Sequence, residues 1–100
     1  LETLVLEEEM TSIGDYAFAW CTSLKSISIP ASVVSIGDDA FYKCTSLESV
    51  SFGTNSKLTT IGEYAFNYCS NLTTITINKP TDSISGAPWG ATRATVIWNG

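Results

Sequence analysis

Three cysteines, Cys21, Cys44 and Cys69, are the side chains of this 100-residue chain best suited to nucleophilic or redox chemistry, and no histidine accompanies them. A thiol or serine nucleophile normally needs a nearby base, and the ordinary Ser-His and Cys-His pairs are unavailable here. A structural zinc site would need a fourth ligand and tetrahedral convergence. Glu7, Glu8 and Glu9 form the densest run of carboxylates. Three consecutive side chains rarely converge on one ion, and Ca²⁺ takes six to eight oxygens around it, so the run reads as a solvated acidic turn. Asp15, Asp38 and Glu63 make no carboxylate pair suited to general acid and base work. No enzymatic activity, cofactor or metal is expected.

The spacing of the cysteines has a simpler origin. Ile13-Gly14-Asp15-Tyr16-Ala17-Phe18 runs on to Cys21 and Leu24, and the same skeleton returns from Ile36 to Leu47 and from Ile61 to Leu72. The first step is 23 residues and the second 25, so two residues are inserted once, between Gly53 and Lys57. A fixed period in the twenties is the mark of a solenoid, in which each unit buries its apolar face only against its neighbours. The cysteines then occupy one position of successive units. Equivalent side chains in stacked units point in parallel, and three cannot pair off. Buried free thiols acting as small hydrophobes are favoured, with partial oxidation or metal binding as the alternatives.

Each unit carries a short alternating segment: Leu4-Val5-Leu6, Ile27-Ser28-Ile29, Val50-Ser51-Phe52 and Ile75-Thr76-Ile77. Alternation of period two with branched residues reads as a strand, and stacking in register would make a parallel sheet along one side. Leu4, Leu6, Ile27, Ile29, Val50, Phe52, Ile75 and Ile77 would face the core, with the serines and threonines between them facing out. A turn follows each strand, clearest at Pro30-Ala31-Ser32. A second inward pair comes next: Met10 with Ile13, Val33 with Ile36, Leu58 with Ile61. Gly14, Gly37 and Gly62 would serve a positive φ or a close backbone approach. Asp15, Asp38 and Glu63 would start short helical turns, and Phe18, Phe41 and Phe66 would stack as an aromatic column.

Beyond Ile77 the pattern degrades. Ile84 lies 23 residues after Ile61 and Trp89 lies 23 after Phe66, while Ala94 to Trp98 reads as a last strand. The chain therefore divides into repeats over 1–77 and a degenerate repeat with C-terminal cap over 78–100, Trp89 and Trp98 closing the cap. Leu1 already stands inside what reads as a strand, so a longer array is expected, with an open N-terminal slice around Leu1, Leu4 and Leu6 able to associate end to end. Forty-four per cent hydrophobic residues can supply the core, read as one elongated domain. A formal charge of -5 argues against nucleic acid and anionic membrane surfaces. No apolar run approaches the roughly 18 to 20 residues of a membrane span.

The string from Ile27 to Leu47, I-x-I-P-x-S-V-x-x-I-G-D-x-A-F-x-x-C-x-x-L, resembles the BspA-like leucine-rich repeat family over nearly all of Leu1 to Ile77. The resemblance implies a right-handed leucine-rich repeat solenoid with short parallel strands on its concave side and short helical turns or irregular structure on the other, about 23 residues per repeat. It also implies a bacterial cell-surface or secreted protein that binds protein partners, host matrix proteins such as fibronectin and fibrinogen among them. On that reading the concave face is the expected binding surface, formed by Ser26, Ser28, Ser49, Ser51, Thr74 and Thr76 with Lys25 and Glu48 just before the strands. A stiff spacer without a ligand is the alternative. Carbohydrate recognition is a third reading, through Tyr16, Trp20, Tyr42, Tyr64 and Tyr68, which can equally pack against one another. Asn71-Leu72-Thr73 fits the glycosylation sequon by accident of a repeat position.

Overall fold

A computed structural model describes residues 3–7, 9–80 and 83–99, and the side chains of Thr3, Leu4 and Val5 lie outside that description. The expectations for Leu1, Leu4 and Glu8 therefore fall outside the described side chains. Among the described residues eight strands follow one another: β1 (Thr3–Val5), β2 (Ser12–Ile13), β3 (Ser26–Ile29), β4 (Ser35–Ile36), β5 (Ser49–Phe52), β6 (Thr60–Ile61), β7 (Thr74–Ile77) and β8 (Thr95–Trp98). They form a solenoid of about four turns with about 23 residues per turn.

Two parallel sheets run along the stack. One has the order β1-β3-β5-β7-β8 and the other β2-β4-β6. The register is in step with the sequence repeat: Ile27 pairs with Val50, Val50 with Ile75, and Ile75 with Val96. Alternation decides the burial, since Ile27, Ile29, Val50, Phe52, Ile75 and Ile77 are all buried while Ser28 and Ser51 between them are exposed. Val33, Ile36, Leu58 and Ile61 close the second side of the core, and Leu24, Leu47 and Leu72 lie between turn and strand.

Of the two expectations for the turn side, irregular structure holds and helical turns do not. No helix occurs among the described residues, and the segments after each glycine are runs of hydrogen-bonded turns. Ala17 donates to Gly14 O, Ala19 to Tyr16 O and Cys21 to Phe18 O, while Phe18 and Trp20 donate to Ala40 O and Tyr42 O of the next unit. Half of the backbone donors thus leave their own turn for the neighbouring one, which a helix cannot allow. The phenylalanine column forms as expected, with stacked centroids 5.4 Å apart for Phe18 and Phe41 and 5.3 Å for Phe41 and Phe66.

The molecule is not elongated: its extents are 29 × 27 × 19 Å. Strands lie about 4.8 Å apart, so five of them span only about 19 Å, less than the breadth of one turn. The two inserted residues are taken up in the turn after β5 without disturbing register. Gly53 N donates to Ile29 O and Lys57 N to Ala31 O, and buried Ser56 accepts the Leu58 N–H at 3.2 Å.

Candidate functional site

The outer face of the five-stranded sheet assembles the expected binding residues into two ladders. Ser26, Ser49 and Thr74 stand in register, and so do Ser28, Ser51 and Thr76. Ser28, Ser49 and Ser51 are exposed, whereas Ser26, Thr74 and Thr76 are half-buried. The face continues onto β8 through Thr95 and exposed Ile97, which pairs with Thr76. Lys25 and Glu48 are exposed at the entry to the strands. Their backbones continue the ladder, since Glu48 N donates to Lys25 O at 2.7 Å and Thr73 N to Glu48 O at 3.0 Å. The result is a hydroxyl-bearing strip with charge only at its margin.

The turn side carries a second surface. Trp20, Lys43 and Tyr68 occupy one position of successive turns, and all three have left-handed backbones with φ of 66°, 55° and 60°. Their side chains face outward, Trp20 and Tyr68 exposed and Lys43 half-buried. Lys43 Nζ lies 4.7 Å from the Trp20 ring centroid and 5.4 Å from that of Tyr68, a cation between two rings. Tyr42 meets both rings edge-on, at 5.8 and 5.7 Å. The aromatics therefore pack between units and remain open to water: Trp20 and Tyr68 are 60% exposed, Tyr16 59% and Tyr64 49%.

The thiols line the stack from unit to unit. Cys44 and Cys69 are buried, Cys21 is partly so, and all three are free. Cys44 Sγ donates to Phe18 O at 3.1 Å and Cys69 Sγ to Phe41 O at 3.0 Å, each satisfying a carbonyl of the preceding unit. The Cys44 sulfur beside it and burial push the Cys69 thiol far up, and burial raises Cys21.

The acidic residues do something the sequence reading missed. Asp15 Oδ1 accepts the N–H of Asp38, and Asp38 Oδ1 accepts the N–H of Glu63 at 3.2 Å, so each carboxylate clasps the next unit instead of starting its own turn. These clasps line one end of an open groove of about 500 Å³ over β2, β4 and β6. Among the described residues no group of three His, Cys, Asp or Glu side chains could hold a metal ion.

The last turn departs from the expected alignment of Trp89 with Phe66. Trp89 N donates to Gly86 O, Ala91 N to Pro88 O and Thr92 N to Gly90 O, the pattern made by Asn67 to Tyr64, Cys69 to Phe66 and, in the first unit, Thr22 to Trp20. That turn is one residue short: Pro88 stands at the phenylalanine position and Gly90 at the position of Trp20, Lys43 and Tyr68. Trp89, at φ 53°, swings into the core in place of the phenylalanine, fully buried, and meets Trp98 at 6.2 Å. Its indole N–H donates to Ser85 O at 2.7 Å. Trp98, on β8, is itself half-buried.

The family model described as BspA type Leucine rich repeat region matches residues 1–92, in six copies. No curated protein and no solved structure matches the chain.

Proposed function

The chain belongs to the BspA type leucine rich repeat family, and from that membership we propose that it is an adhesion module of a bacterial surface or secreted protein, meeting a protein partner through the outer face of its five-stranded sheet. Leucine-rich repeat solenoids are typically non-enzymatic binding scaffolds, and this family is associated with bacterial surface proteins. No helix among the described residues is long and apolar enough to cross a membrane.

The observation that carries the reading is the pair of hydroxyl ladders, Ser26-Ser49-Thr74 and Ser28-Ser51-Thr76. Hydroxyls both donate and accept, so the strip can follow a polypeptide's alternating donors and acceptors without desolvating a charge. Lys25 and Glu48 at the margin supply rim charges, which act on encounter and orientation more than on affinity.

The test is binding of fibronectin and fibrinogen to the immobilised chain, beside a Ser28→Glu, Ser51→Glu, Thr76→Glu variant with unchanged circular dichroism. Saturable binding that the variant loses supports adhesion through this face. Absence of binding at about 100 μM, where even a weak complex of about -5.5 kcal/mol would show, favours a spacer without its own ligand.

A further inference from the structure

Gly90 leaves a gap in the turn-side column, and that gap is a groove. Trp20 is followed by Lys43 and Lys43 by Tyr68, but in the shortened last turn the residue that the bonds of that turn put at this place is Gly90, which has φ 88°, lies against Asn67 and has no side chain to lay on the ring. A groove of about 330 Å³ opens there, bounded by Asn67, Tyr68, Ser70, Gly90, Thr92 and Arg93, with Cys69 at its base. Glycine suits this place, because φ 88° strains other residues and a Cβ would stand 3.0 Å from Asn67 Cα, tighter than ordinary contact. The last, shortened turn therefore bares one side of Tyr68.

The lining has a definite chemistry. Tyr68 offers an exposed aromatic surface, Asn67 an amide, and Ser70 and Thr92 hydroxyls at the rim. Arg93 is the chain's one arginine, it is exposed, and among the described residues it has no hydrogen-bond or ion-pair partner. Lys43 approaches the same ring from the preceding turn, at 5.4 Å. In a protein of net charge -5 with five cationic side chains, two stand around one tyrosine.

We propose that this groove binds an acidic saccharide, a pyranose bearing a carboxylate. The sugar's C–H face lies on Tyr68, its carboxylate takes the planar fork of Arg93, and its hydroxyls meet Asn67, Ser70 and Thr92. Guanidinium matches a carboxylate in a bidentate pair, while the volume suits one or two sugar rings. Lys43 then receives the acid of a neighbouring sugar along the chain. An acidic peptide carries the same carboxylate, and the oligoglutamate arm of the test separates it from a sugar. The site lies away from the hydroxyl ladders and does not depend on their use.

Ligand-observed NMR and calorimetry with oligogalacturonate, sialyllactose, neutral maltohexaose and an oligoglutamate peptide test the proposal. Saturable binding of either acidic sugar, falling with added salt and reduced about tenfold or more in Arg93→Gln, is the expected result. The two acidic probes separate uronate from sialate recognition. Tyr68→Asn, which keeps a residue tolerant of the left-handed backbone, should lower binding with circular dichroism unchanged. The proposal is overturned by no saturation with either acidic sugar at about 10 mM, a range that captures complexes of only about -3 kcal/mol. It is equally overturned if Arg93→Gln and Tyr68→Asn bind as the parent does, or if maltohexaose or the peptide binds as tightly as the acidic sugars.

Discussion

The carboxylate of Asp15 accepts the backbone N–H of Asp38 at 2.8 Å, 23 residues on, and Asp38 does the same for Glu63. A side chain at one repeat position thereby bonds the main chain of the same position one unit later. Stacking is a matter of directed bonds at the glycine corner as well as of buried area.

Removing one clasp strands a backbone donor near the surface. Asp38→Ala and Asp15→Ala should each lower stability by about 1 kcal/mol, the ordinary net value of such a bond. Glu63, for which no such bond is seen among the described residues, should change by less than about 0.5 kcal/mol on the same replacement. Urea unfolding of the three variants distinguishes a clasp from a merely acidic turn, which would give equal losses.

The three repeat glycines separate in the same way. An alanine Cβ at Gly62 would stand 2.5 Å from Asp38 N, and one at Gly37 2.6 Å from Asp15 N, both backbone atoms that cannot step aside. At Gly14 nothing lies within 4 Å. None of the three has a positive φ, so close approach is the whole reason for the residue. Gly37→Ala and Gly62→Ala should cost about 2 kcal/mol or more, in the range of other overpacked sites, and Gly14→Ala almost nothing. Thermal denaturation showing equal losses at all three would contradict this.

Phe41 has a ring on either side, whereas Phe18 has a neighbour only on the Phe41 side among the described residues and is half-buried. Phe41→Ala should cost about 4 kcal/mol and Phe18→Ala visibly less. Native-state hydrogen exchange should show the Phe41 loss reaching the turns of both adjoining units.

Alkaline pH should loosen the stack through Cys69, whose thiol is pushed up by its bond with Cys44 and by burial, while the same bond holds Cys44 below its ordinary value. In the unfolded chain Cys69 ionises near its ordinary value of 9.0, while in the folded chain the thiol is held protonated far higher. The folded state then keeps a proton that the unfolded state loses, so stability is complete below pH 9 and declines above it, by about 1.4 kcal/mol per pH unit for one such group. Cys69→Ala should flatten that decline between pH 9 and 10.5. In the native protein at pH 8, iodoacetamide should modify partly exposed Cys21 ahead of Cys44 and Cys69. Equal labelling of all three would argue that the stack opens readily.

The strands and core positions could be read from the sequence because alternation fixes which side of a sheet each residue takes, and Ile27, Val50 and Ile75 obey it. The hydroxyl ladders followed from the same period. The turn side was less legible. Aspartate before an Ala-Phe pair suits a helix start as well as a bond to the next unit, and local propensity does not choose between them. The single missing residue before Trp89 was hidden because a 23-residue count from Phe66 looked regular; the bonds within the last turn give Gly90 the place that Tyr68 holds in its own turn, while the bond from Phe66 N to Trp89 O shows that turn shifted against its neighbour. Arg93 and Tyr68, 25 apart in sequence, carried no pattern linking them.

The left-handed position shared by Trp20, Lys43 and Tyr68 has a consequence for how such a surface can change. Its backbone is set by the turn, its side chain is aimed away from the core, and an indole, an ammonium and a phenol have all been accepted there. Substitution at this site therefore rewrites what the molecule presents to its surroundings while leaving the folding instructions untouched. Each added turn supplies one more such slot, so a longer array would present a row of outward side chains limited by what a left-handed backbone tolerates and by contact with the slots on either side.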